Sequence, residues 1–112
     1  MENSIKLAMV GCSHRQSSLT VRERLAFSPT QTADALAAWR AGHAETEAVL
    51  LSTCNRVELY TATSGNEPIG AVEAALAHLA DFHNVPVDDV RGEVVTLENT
   101  AVVRHLFAVA AS

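Results

Sequence analysis

The chain predicts an α/β fold with a mostly antiparallel sheet, and three observations carry that reading. Apolar periodicity switches between two and about 3.6 residues along the chain. The connections between the periodic stretches are short and marked by capping, Pro or Gly signals. Two strand-like runs, Ala48 to Leu51 and Val57 to Thr61, flank a short polar turn at Cys54-Asn55, as in a hairpin whose Asn tolerates positive φ.

Taken in order, Ile5, Leu7 and Met9 alternate with Lys6, Ala8 and Val10, which predicts a first strand ending at Gly11. A loop follows, then a short helix opened by the capping box Thr20-x-x-Glu23. Ser28-Pro29-Thr30-Gln31 is a second capping box with Pro29 at the first helical position, and Ala33, Leu36, Ala37 and Trp39 give this helix an apolar side up to Gly42. The continuously apolar run Ala48 to Leu51 predicts a strand covered on both faces. Val57, Leu59 and Thr61 alternate with Glu58, Tyr60 and Ala62 as in a half-exposed one. Ser64 to Pro68 reads as a loop. Ile69, Val72, Leu76, Leu79 and Ala80 stripe a helix that Asn84 and Pro86 end. Glu93 to Leu97 reads as the fourth strand, and Asn99 caps a final helix with Val103, Leu106, Phe107 and Ala110 on one face. Strand, helix, strand, strand, helix, strand is the order of a ferredoxin-like sandwich, here with an extra helix in the first crossover and a C-terminal helix. That topology makes the first and third strands antiparallel neighbours and brings Cys12 to His14 close to Arg56.

The 112 residues, 48% hydrophobic, suffice for one domain with a core of ordinary size, and with one Trp, one Tyr and three Phe that core must be aliphatic. Repeats, low-complexity tracts and linkers are absent. No segment is long and apolar enough to span a bilayer, and Met1 to Ser4 lack the character of a signal peptide, so a cytoplasmic protein with reduced thiols is expected. The net charge of −5 argues against a general nucleic-acid surface. Residues 1–30 nevertheless carry Lys6, Arg15, Arg22 and Arg24 against Glu2 and Glu23, so an RNA end would approach from the Arg15 to Arg24 side; Arg22 and Arg24 read equally as the solvated face of a short helix.

The turn Ser52-Thr53-Cys54-Asn55-Arg56 holds a candidate nucleophile. A thiolate is a nucleophile, and the guanidinium of Arg56 could favour that thiolate or hold a substrate carboxylate. An unpaired cysteine at a strand end is also readable as a small inert core residue. His78 and His83, five apart on one helix, and His43 in an exposed connection read as structural. Cys12 and His14 could share a strand face, but two potential ligands do not make a zinc site, and no metal is expected. His105 lies about 160 to 200° from the Val103, Leu106, Phe107 and Ala110 stripe, on a helix apolar almost all round that should be buried on both sides.

Ser52-Thr53-Cys54-Asn55-Arg56 followed by Val57-Glu58-Leu59-Tyr60 resembles the active-site signature of the glutamyl-tRNA reductase family. Val10-Gly11-Cys12-Ser13-His14-Arg15 leading into Val21 to Phe27 is similar to that family's amino-terminal strand, loop and helix, and His105 to Ala110 resembles the opening of a downstream signature. Gln16-Ser17-Ser18 and Cys12 depart from the residues usual there. The resemblance implies a fragment: residues 1–112 as a single catalytic domain, with NADPH-binding and dimerisation domains outside it, in a protein that is homodimeric at full length. It implies Cys54 as the nucleophile that takes glutamate from glutamyl-tRNA as a thioester, which NADPH reduces to glutamate-1-semialdehyde for tetrapyrrole (porphyrin) synthesis. Thr53, Asn55 and Arg56 would lie in the glutamate pocket, Arg56 as carboxylate clamp, and His105 would be the acid/base or polarising residue. No glycine-rich dinucleotide fingerprint occurs in the chain, so the NADPH site is expected elsewhere. The other classes are a stand-alone ferredoxin-like ligand-binding or regulatory module and a thiol redox sensor.

Overall fold

A computed structural model describes residues 5–15, 17–64 and 71–111. The elements are β1 (Ile5–Ser13), α1 (Leu19–Leu25), α2 (Pro29–Gly42), β2 (Thr46–Ser52), β3 (Arg56–Ser64), α3 (Ala71–Phe82), α4 (Val87–Val90), β4 (Val95–Glu98) and α5 (Thr100–Ala111), with a 3₁₀ turn at Arg91–Glu93. The sheet order is β2-β3-β1-β4 and all three pairings are antiparallel, which is the expected ferredoxin-like sandwich. Ile69 and most of the Ser64 to Pro68 loop lie outside the described residues.

Side chains alternate across the pleat, so the two faces of β1 and β3 build two separate cores. Val10, Cys12, Val57 and Leu59 point into the larger one, with Val21 and Leu25 of α1, Trp39 of α2, Leu76 and Leu79 of α3 and Val90 of α4. Met9 and Tyr60 point into the smaller one, where Val102 of α5 closes over them. Three expectations about the strands change as a result. The second strand is the sheet's edge, and Val49 is 63% exposed, because α5 packs mainly over β1 and β4. The third strand is central and buried on both faces, Glu58 included, and not half-exposed. The fourth begins at Val95, two residues late, since Arg91–Glu93 form the 3₁₀ turn.

The helix caps fall where the local signals place them at α2 and elsewhere at α1. Ser28 and Gln31 form the capping box expected of α2, with Pro29 first in the helix. Its buried residues are Ala35 and Trp39, whereas Ala33 and Ala37 face solvent, so the apolar side is rotated. The first helix starts at Leu19 and is capped by Ser18, whose Oγ accepts from the Val21 amide, not by Thr20. The carboxylate that completes a capping box comes from far along the chain, as Glu93 accepts from the Ser18 amide at 2.7 Å. Asn84 (φ 56°) ends the third helix region as anticipated. Asn99 (φ 53°) is no side-chain cap: its Oδ1 accepts from the Leu7 amide while its carbonyl accepts from Val102 and Val103, tying the start of α5 to β1.

The largest revision concerns α5. Val102 is its buried residue, and His105 and Val109 share that sheet-facing side about one turn apart. The stripe of Val103, Leu106 and Phe107 expected in the core is exposed, Phe107 at 72%.

Candidate active site

The β1 and β3 ends meet at one corner of the sheet. Ser13 pairs with Arg56, and the His14 amide donates to the Asn55 carbonyl at 2.8 Å, as the topology predicts. Between β2 and β3 the chain turns within residues 53–55. Thr53 makes that turn: its amide donates to the Arg56 carbonyl at 2.8 Å, and its Oγ1 accepts from the Asn55 and Arg56 amides at 3.1 and 3.3 Å. Cys54 is thereby held at the apex, exposed. No positive φ is used at Asn55; among the described non-glycine residues only Asn84 and Asn99 have one. A guanidinium from α1 holds the apex from below, with Arg22 Nη1 donating to the Cys54 carbonyl at 3.2 Å. Arg24 stays exposed, 3.8 Å from Asp89, as on a solvated helix face, whereas Arg22 is tied to the turn.

Beside the turn lies an open groove of about 690 Å³ lined by Ser13, His14, Arg15, Thr53, Asn55, Arg56 and His105, with Leu51, Ala108 and Val109 as its apolar wall. The sequence-selected residues Thr53, Asn55, Arg56 and His105 therefore converge on one concavity, with Cys54 at the turn between them. Arg56 and His105 share a partner that sequence reasoning missed. Glu58, 2% exposed, accepts from Arg56 Nη1 at 3.2 Å and from Tyr60 Oη at 2.5 Å, and its Oε2 lies 2.6 Å from His105 Nε2. Burial first, then the hydrogen bond and charge of Glu58, push the Tyr60 phenol well above its usual range. The signal was present as Arg, Glu and Tyr at i, i+2 and i+4 of β3, alternating with Val57 and Leu59, a polar row on one face that a solvent-facing reading disguised.

Cys12 lies opposite Val57, on the other face of the sheet, in the larger core. Burial pushes its thiol pKa up, only partly offset by hydrogen bonds to the Val57 backbone and Ser17. The remaining histidines act structurally. His78 Nε2 lies 2.8 Å from the Ala35 carbonyl, His83 Nε2 lies 3.1 Å from that of Leu25, and His43, half-buried, stacks on Trp39 at 3.8 Å. No group of three or more potential metal ligands exists among the described residues. All sheet pairings among the described residues are antiparallel, so none of them forms the unit of two neighbouring parallel strands and a helix that cradles a dinucleotide.

Fold and corner together define a class, a ferredoxin-like α/β domain presenting one exposed cysteine beside a groove that bears arginine and histidine. The chain belongs to the glutamyl-tRNA reductase N-terminal domain family: the family model described as "Glutamyl-tRNAGlu reductase, N-terminal domain" matches residues 10–112. Among curated relatives, the glutamyl-tRNA reductase of Neisseria gonorrhoeae is 39% identical over 106 residues, 95% of this chain and 24% of the relative. That of Geobacter sulfurreducens is 39% identical over 108 residues, and that of Geotalea daltonii 37%, each over 96% of this chain and 24% of the relative. The chain thus spans about a quarter of the length of the curated relatives it matches. No described helix is long and apolar enough to cross a membrane.

Proposed function

We propose that this chain is the glutamyl-accepting catalytic domain of a glutamyl-tRNA reductase acting in tetrapyrrole synthesis. The observation that carries the reading is an exposed cysteine at the apex of a braced turn, next to a groove walled by Arg56 and His105. The Cys54 thiolate attacks the ester carbonyl of glutamyl-tRNA. A carbon–sulfur bond forms, the carbon–oxygen bond breaks, and the leaving tRNA hydroxyl takes up a proton, for which His105 is the nearby ring. Arg56 clamps the glutamate side-chain carboxylate with the donors that Glu58 does not occupy. Thr53 contributes chiefly by shaping the turn, and Asn55 lines the glutamate side of the groove. When bound, NADPH would supply the hydride that reduces the thioester to glutamate-1-semialdehyde and releases Cys54 as the thiolate. No residue of this chain is assigned to hold NADPH, and a dimer of the whole protein belongs to the same proposal.

The test is single-turnover acylation. Incubated with tRNA carrying radiolabelled glutamate, the chain should acquire label that hydroxylamine removes and that maps to Cys54, and Cys54→Ser should abolish it. A label on Cys12, or deacylation of the tRNA unchanged by Cys54→Ser, would sink the reading.

A further inference from the structure

Among the described residues that are buried, Glu58 alone carries a charge. Its path is built into the sheet. Glu58 pairs directly with Gly11 across β1 and β3, and a Cβ on Gly11 would come within 2.7 Å of Glu58 Cγ as well as striking the Val57 carbonyl. Glycine at 11 therefore opens the lane by which the carboxylate crosses β1 toward α5. At the end of that lane three donors from two elements converge: Tyr60 Oη on Oε1, and Arg56 Nη1 with His105 Nε2 on Oε2.

An ionised carboxylate only accepts, and a guanidinium only donates. The proton of the 2.6 Å contact then sits on His105 Nε2 in either charge state of the ring, which leaves Nδ1 as the nitrogen that gains or loses one. We infer that Glu58 is a positioning residue. Its single buried carboxylate sets Arg56 and His105 against the groove in fixed relation to each other and holds His105 in the Nε2–H form. The inference rests on the acyl-transfer reading of Arg56 and His105, and deepens it. It also accounts for an otherwise costly feature, since a buried charge is tolerated where it is paired and fully hydrogen-bonded.

Nitrogen-15 NMR of the histidine rings, recorded over an alkaline pH series, tests it together with single-turnover acylation by glutamyl-tRNA. The wild-type chain should show His105 protonated on Nε2. In Glu58→Gln the amide oxygen must face Arg56, which cannot accept, while the NH₂ finds Tyr60 Oη as acceptor. The Nε2–H signature should persist there, with acylation within about tenfold. Glu58→Ala, with an unchanged circular dichroism spectrum, should give a mixture of His105 tautomers and acylation slower by roughly 10- to 100-fold, by analogy with loss of the partner that orients a metal-bound histidine. A wild-type spectrum with the proton on Nδ1 overturns the proposal, and so does a folded Glu58→Ala chain with wild-type signature and rate. Should Glu58→Ala not fold, the wild-type spectrum decides alone. If the wild-type chain is not acylated at all, the functional reading falls while the NMR arm still decides the positioning.

Discussion

Two cysteines in one chain differ here because one lies within a strand and the other on a turn between strands. Cys12 is enclosed in the larger core with its thiol pushed up by burial, whereas Cys54 stands exposed on a turn held by Thr53 and Arg22. A small neutral alkylating reagent should therefore label Cys54 well ahead of Cys12 in the folded chain, as read by mass spectrometry. The same reagent separates the two roles open to Arg56. Its bond to Glu58 anchors the guanidinium, and a lysine there keeps the charge but loses the planar fork. Arg56→Lys should leave Cys54 alkylation within a few-fold. Glutamyl transfer should fall steeply, since truncating one partner of a buried charged pair costs about 2–5 kcal/mol. A collapse of alkylation equal to that of transfer would make Arg56 an activator of the thiolate instead of a clamp.

Among the elements, α5 shows how little an apolar pattern says about which side meets the sheet. Val102 is buried against Met9 and Tyr60, and His105 is tied to Glu58, while Phe107 stands in solvent. A helix apolar all round offers several stripes of similar strength, and the Asn99 link to Leu7 selects one by fixing the rotation at its start. The selected stripe is the one that turns His105 toward the groove. Val102→Ala should lower stability to urea by roughly 1.5–3 kcal/mol, the worth of burying a valine side chain. Phe107→Ala removes more carbon, yet should shift it by no more than about 0.5 kcal/mol, as exposed substitutions do. Equal losses would mean that the outer face of α5 is packed.

Stability of the whole molecule should depend on pH through groups remote from the groove. Burial holds the His83 ring pKa below its ordinary value, outweighing the opposing hydrogen bond to the Leu25 carbonyl. A histidine whose folded pKa is depressed binds its proton more readily when unfolded. Its contribution is thus full above the unfolded value near 6.5 and is lost as pH falls below that toward the folded one. The hydrogen bond from the Ser18 amide holds Glu93 below its ordinary value, and that contribution is present above about 4.5 and lost at lower pH. Urea midpoints should accordingly fall in two stages on acidification, and His83→Gln should remove the first. A first stage that survives His83→Gln would assign it to another group.

The order of elements, the ferredoxin-like topology and the turn that joins Thr53, Asn55 and Arg56 to Cys54 were legible in the sequence, because periodicity, caps and turn residues act over a few positions; His105 came in only through the family resemblance. Which faces those elements bury depends on long-range packing. Glu58 reads as an outward strand residue until α5 covers it, Val49 reads as core until β2 proves to be an edge, and the stripe of α5 awaits the Asn99 contact with β1. The physical reason is common to all three. Alternation says that two faces differ, but what each face meets depends on partners far along the chain, 47 residues between Glu58 and His105 and 92 between Leu7 and Asn99.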